Sequence, residues 1–113
     1  MKTFKQQAAQ GDLLVTRIDE LPTGVTEQAA EDGRHVLAHS ETGHHHVIPA
    51  EHASLFVAAD SDGFRAFLVV HQDTQIEHLR AWDTHEALAV TPGVYRLDRQ
   101  REYIADGFRR AAD

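Results

Sequence analysis

The chain has 113 residues, a net charge of −7 and no cysteine. That length suits one domain with a hydrophobic core of its own, read here as a single β domain over residues 1–113. The lack of cysteine excludes disulfides and thiolate zinc sites, so His, Asp and Glu are the only strong metal ligands. The acidic balance argues against general nucleic-acid binding, which depends on neutralising phosphates.

No apolar run approaches the roughly 20 residues of a membrane-spanning helix, so no membrane association is expected. Met1-Lys2-Thr3-Phe4-Lys5 carries no signal-peptide apolar region, which makes the cytoplasm the expected compartment. Five of the nine arginines (Arg96, Arg99, Arg101, Arg109, Arg110) fall in the last eighteen residues. They are interleaved with Asp98, Glu102, Asp106 and Asp113, a pattern that favours ion pairing on a solvated face over an anion or RNA patch.

In chain order, Gly11-Asp12 opens a first strand through Leu13–Ile18, closed by Leu21-Pro22-Thr23-Gly24. Asp32-Gly33 turns into a strand over 34–39, which Thr42-Gly43 breaks before a strand from His44 to Ile48 that Pro49 ends. Residues 53–59 form the next strand, and Asp60-Ser61-Asp62-Gly63 is a hairpin turn. Phe64 to His71 follows, with Phe64, Ala66, Leu68 and Val70 on one face and Arg65, Phe67, Val69 and His71 on the other. Both faces are mostly apolar, which marks a central strand covered on both sides. The stretch 72–80 reads as loop or a short helical turn. His85 to Thr91 is a further strand, and Pro92-Gly93 turns into a last one from Val94 to Tyr103. Turn signals recur roughly every 8 to 15 residues, the pattern of an all-β protein. The expected fold is a small jelly-roll or cupin-like barrel, or a sandwich, of about seven or eight strands.

Nine residues are histidine, and the densest stretch is Thr42-Gly43-His44-His45-His46-Val47-Ile48. On a strand, His44 and His46 project from one face while His45 points the other way. Neutral imidazole is the commonest protein ligand for mid-sized divalent metals, so this pair reads as half of a metal site. The competing reading is a polar strand that happens to be His-rich, or an adventitious nickel site. Glu51, five residues beyond His46 and past Pro49, can curl back to offer a carboxylate. A ligand from a distant strand is also needed, because three or four protein donors are usual. His85 is the first choice, with His71 and His39 as competitors. Two histidines and a carboxylate with open positions suit Fe, Mn, Ni or Zn as the divalent ion. Glu41 and Glu86 are placed to hold the remote imidazole nitrogens.

His44-x-His46-x4-Glu51 resembles the first metal motif of the cupin superfamily, a double-stranded β-helix. The resemblance implies His44, His46 and Glu51 as ligands, with a further His from a second motif containing PxG. The chain also resembles a family of small uncharacterised bacterial and phage proteins. The shared segments are Gln10-Gly11-Asp12, Gly43-His44-His45-His46, Thr84-His85-Glu86 and Gln100-Arg101-Glu102-Tyr103. That likeness groups His44, His46 and His85 and draws attention to the last segment. On a strand Arg101 and Tyr103 share a face, and Glu102 lies on the other. Glu102 and Tyr103 are then candidates for proton donor or substrate anchor at the mouth of a metal pocket, against an interstrand ion pair with a packed aromatic. Ser40 and Ser54 lie in no nucleophile elbow, and no phosphate-cradling glycine loop occurs.

Two functions follow. One is a cupin-like metalloenzyme acting on a small oxygen-containing substrate, with the metal as Lewis acid or dioxygen site. The other is a metal-stabilised accessory protein without turnover. The partners left open are a small molecule, a protein, and a second copy of the chain in a homodimer. Fold alone does not separate these, because cupin-like scaffolds host enzymes and non-enzymes alike.

Overall fold

A computed structural model of the chain describes residues 2–11, 13–38, 45–58, 65–78 and 87–99. These form ten strands: β1 (Gln7–Gln10), β2 (Leu13–Ile18), β3 (Val25–Gln28), β4 (Arg34–Ala38), β5 (His46–Pro49), β6 (Ala53–Ala58), β7 (Ala66–Val70), β8 (Thr74–His78), β9 (Leu88–Val90) and β10 (Gly93–Arg99). No helix occurs among the described residues, and none is therefore long and apolar enough to cross a membrane. The all-β class read from alternation is the one found. The strands make two antiparallel sheets, one of six in the order β1-β2-β10-β7-β6-β3 and one of four in the order β4-β5-β8-β9. The described strands do not close into a barrel.

The core lies between the sheets and follows the period-2 pattern of the sequence. Leu13 and Val15, Ala66, Leu68 and Val70, and Tyr95 and Leu97 face inward from the larger sheet. Leu37, Ile48, Ile76, Leu88 and Val90 meet them from the smaller one. β7 is central, between β10 and β6, and Phe67 on its other face is also buried, as its two apolar faces predicted.

Three features depart from the sequence expectation. The sequence pattern does not signal β1 or β3, because Gln7-Ala8-Ala9-Gln10 has little β propensity and Val25-Thr26-Glu27-Gln28 is a largely exposed edge strand. The stretch 72–80, read as loop or helical turn, contains β8. Thr74, Ile76 and His78 alternate there with Gln75 and Glu77, and Ile76 and His78 are buried while Glu77 is exposed. The period-2 signal was present, but only one of its inward residues is aliphatic.

Chain connections tie the sheets together on two sides. Lys2 bridges Leu88 in parallel, donating its N–H to Ala87 O at 3.0 Å and accepting from Ala89 N at 2.8 Å, before the chain enters β1 of the other sheet. On the opposite side Glu31 and Arg34 exchange both backbone hydrogen bonds around Asp32-Gly33. Asp32 and Gly33 have φ of 52° and 78°, the double left-handed geometry of a type I′ hairpin, which explains the choice of Asp-Gly.

Candidate functional site

One end of the sandwich gathers three of the four buried polar side chains of the described residues. His46 opens β5, His78 closes β8 and Gln10 closes β1, and all three are buried, at 1%, 7% and 4% exposure. Cα pairing puts His46 directly opposite His78 across β5 and β8. On its other side His46 pairs with Ala38, just past a register shift between Val36 and Ala38. Such a bulge strengthens local twist and re-aims side chains, and bulges are over-represented near functional sites. The two imidazoles stack with centroids 4.1 Å apart and planes 8° from parallel.

Gln10 reaches this pair from the other sheet. Its Nε2 donates to Ile76 O at 2.9 Å, and its Oε1 lies 2.9 Å from His46 Nδ1. A carbonyl only accepts, so the Ile76 contact fixes which way the Gln10 amide points. Oε1 can then only accept in turn, so His46 Nδ1 carries the proton and donates it. In the neutral ring this leaves the lone pair on Nε2. Leaving either buried partner unsatisfied would cost about 1–3 kcal/mol. Gly11 closes the cluster. Its φ is +60°, and a Cβ there would lie 3.0 Å from His78 Cε1 and 3.4 Å from His46 Cε1, so only glycine brings the backbone this close to the rings.

The motif residues of the sequence sort by strand end. Residues 39–45 join β4 to β5 between Ala38 and His46, and 79–87 join β8 to β9 between His78 and Leu88. Residues 100–113 follow Arg99, whose Cα partner is Leu13, beside Gly11. His39, His44, His85, Glu102 and Tyr103 themselves, with Glu41 and Glu86, lie outside the described residues. The described strand residues that flank these segments in the chain are Ala38 and His46, His78 and Leu88, and Arg99.

Glu51 and His71 belong to the other end. Glu51 follows Pro49, where β5 has run away from His46; its side chain is 81% exposed and its Oε1 lies 3.5 Å from His52 Nε2. His71 follows Val70, is exposed, and has Nε2 3.1 Å from Ser54 Oγ. The structure does not bring either one to His46. Among the described residues no group of three or more His, Asp or Glu is placed to hold a metal.

The sequence alone does not assign His78 or Gln10 to the site: taken singly, His78 reads as a surface or hydrogen-bonded imidazole. The alternation of Thr74, Ile76 and His78 could have found the first. Nothing local marks the second, because its partners lie 36 and 66 residues away in the chain.

Fold and site together define a two-sheet, all-β protein with a histidine-centred polar cluster at one end. Residues 9–100 match a family model described as a domain of unknown function (DUF8820), and the chain belongs to that family. The matched span includes Gln10, Gly11, His46 and His78, and ends before Arg101-Glu102-Tyr103. No curated protein and no solved structure matches the chain. The cupin resemblance gains no support from the family match.

Proposed function

We propose that the chain is a divalent-metal-binding protein whose ion is held at the His46 end of the sandwich, with His46 Nε2, His44 and His85 as ligands. The observation that carries this is the Gln10–His46 hydrogen bond. Metal-ligating histidines characteristically donate their other ring N–H to a fixed oxygen, which sets the tautomer and aims the lone pair. Gln10, itself held by Ile76 O, does this for His46 from a buried position. His44 and His85 enter because their segments adjoin the strand ends that His46 and His78 occupy. Glu51 and His71 are left out of the set because they stand at the far end. A set rich in histidine suits Zn, Fe, Ni or Mn, in each case as the divalent ion.

With an open coordination position such an ion would act as a Lewis acid on a small oxygen-containing substrate, and Glu102 and Tyr103, three and four residues past the end of β10 in the chain, are the candidates to hold that substrate or move a proton. The second reading is a metal-stabilised accessory protein without turnover. The burial of the His46–His78–Gln10 cluster favours it, since a buried polar network specifies a unique core whether or not chemistry follows.

Elemental analysis of untagged protein, purified without nickel resin, tests the proposal. The expected result is about one equivalent of a divalent metal. Background content should follow in His46→Ala and in the His44→Ala/His85→Ala double variant, and content should be unchanged in Glu51→Ala and His71→Ala. Unaltered metal in the His44/His85 variant, or none in the native chain after incubation with Zn, Fe, Mn or Ni salts, would overturn it.

A further inference from the structure

The outer face of the six-stranded sheet has a chemistry that the metal site does not use. Val15, Leu68, Tyr95 and Leu97 point into the core, so the residues alternating with them point outward. A sheet with one face in water usually alternates apolar-in and polar-out. Here the outward positions include Leu14, Ile18, Phe56, Phe67, Val69 and Val94. Five of the six are half-buried, and Phe67 is buried at 5% exposure although it lies outside the inter-sheet core. A contiguous apolar patch on this scale marks an interaction surface.

Strand register arranges this face in cross-strand rows. Read from β2 through β10 and β7 to β6, the middle row is Thr16, Arg96, Phe67 and Phe56. The row on one side is Ile18, Val94, Val69 and Ser54. The row on the other side is Leu14, Asp98, Arg65 and Ala58. The charges sit on β10 and β7, the two middle strands of the sheet. Arg96 Nε donates to Asp98 Oδ2 at 2.8 Å, and Arg65 Nε lies 3.7 Å from Asp98 Oδ1. The carboxylate on this face is therefore already paired within the chain, which lowers the cost of covering it.

We propose that a second copy of the chain docks on this face, about a twofold axis that runs parallel to the strands between β10 and β7. Such an axis keeps each row at its own level and reverses the strand order across it. Asp98 of each copy then lies over Arg65 of the other, Arg96 over Phe67, and Val94 over Val69. The contacts are two opposite-charge pairs, two guanidinium–ring pairs and apolar pairs, with no like charges directly opposed. A twofold axis across the strands would instead oppose the two Arg96 side chains and set Asp98 on Val94. Packed sheets keep their strands within about 30° of each other, as the strand-parallel axis allows. Six strands about 4.8 Å apart, over five residues of about 3.3 Å each, present about 500 Å² per copy. The total of about 1,000 Å² is at the lower bound for a specific interface, so the dimer is weak, with a dissociation constant of about 10–100 μM.

Sedimentation velocity of the untagged full chain is the test, with monomer expected at about 1 μM and mostly dimer at about 500 μM. Arg65→Asp would oppose carboxylates at both contacts, and Asp98→Arg would oppose guanidinium groups, so each variant alone should dimerise at least about tenfold more weakly. Mixing the two variants puts opposite charges back at both contacts, and a mixed dimer should form. Glu77→Arg, an exposed change on the smaller sheet, should leave self-association unaltered. In the native chain, amide shifts that depend on concentration should fall on β10 and β7 and spare β5 and β8, a readout that needs no variant. A native chain that stays monomeric at the higher concentration would overturn the proposal. So would single variants that dimerise like the native chain, a mixture that stays monomeric, or concentration-dependent shifts centred on β5 and β8.

Discussion

The imidazoles of His46 and His78 lie face to face because their Cα positions are directly paired across β5 and β8. Two polar rings at the edge of an aliphatic core would be a poor use of buried space without further partners. Gln10 supplies one such partner from the opposite sheet and Gly11 gives the rings room. The cluster therefore joins both sheets at one end, and its geometry depends on residues far apart in the chain.

Gln10→Ala removes the acceptor of His46 Nδ1–H and the donor to Ile76 O in one step. Two buried groups then lose their partner, and a loss of about 2–5 kcal/mol in unfolding free energy is expected by urea titration. Nitrogen shifts of the His46 ring should move away from a single Nδ1–H tautomer. Gln10→Glu can still accept from His46 but cannot donate to Ile76 O, so it should keep the tautomer while losing stability. A Gln10→Ala variant as stable as the native chain would show that the amide bridges nothing.

Gly11 and Gly24 both have positive φ, of 60° and 79°, but only Gly11 faces side chains. Alanine at either position pays left-handed backbone strain of about 1 kcal/mol. At Gly11 the added methyl must also push against His78 Cε1, whereas at Gly24 nothing lies within 4 Å. Gly11→Ala should therefore lower the melting temperature more than Gly24→Ala and shift the His46 and His78 ring resonances. Equal effects of the two substitutions would mean that the contact is not felt.

What was legible in the sequence was what depends on local period. Leu13–Ile18 was read with the bounds of β2, and β7 was recognised as central from its two apolar faces. Asp32-Gly33 announced its turn through the φ requirement of a tight hairpin. His46 was singled out by its neighbours in sequence. Gln10 stands out in the sequence only as part of a shared segment, because a glutamine near two alanines signals neither strand nor site until the other sheet arrives. His78 reads from the sequence as a surface or hydrogen-bonded imidazole, because its strand carries one aliphatic residue on its inward face. Glu51 joins His46 in the sequence through its spacing past Pro49 and the cupin-like motif, whereas β5 runs away from His46 toward Pro49 and leaves the Glu51 side chain exposed beside His52.

Arg17 provides a check on the packing that is independent of the histidines. Its guanidinium sits 4.8 Å from the centre of the Tyr95 ring. It also donates to Tyr95 Oη and Thr91 Oγ1 at 2.6 Å each, and to Lys5 O at 3.1 Å. Lysine can satisfy only part of this planar fork. Arg17→Lys should cost about 1–2 kcal/mol, and Arg17→Ala somewhat more, by chemical denaturation. Gly93 belongs to the same unit: its φ is +155°, and a Cβ there would fall on the Arg17 guanidinium, so Gly93→Ala should destabilise by a similar amount. Arg17→Lys as stable as the native chain would show that the fork geometry is not used.

Metal held by histidine should be released on acidification, with a definite sign. Imidazole ligates only when neutral, and an unperturbed ring protonates near pH 6.5, so protons and metal compete for the same nitrogens. Bound metal stabilises the folded chain by RT ln(1 + [M]/Kd), about 2.7 kcal/mol when the free metal is a hundredfold above Kd. That contribution is complete well above pH 6.5 and shrinks as the pH falls, because each protonated ligand raises the apparent Kd. Coordination delays the loss, so its midpoint should lie somewhat below the value of the unperturbed ring. The measurement is the melting temperature with and without chelator at pH 8 and pH 5. A large difference at pH 8 and little or none at pH 5 is expected for a site built on His44, His46 and His85. A carboxylate-only site would keep most of its difference at pH 5, since carboxylates stay ionised to about pH 4. Equal differences at the two pH values would remove histidine ligation from consideration.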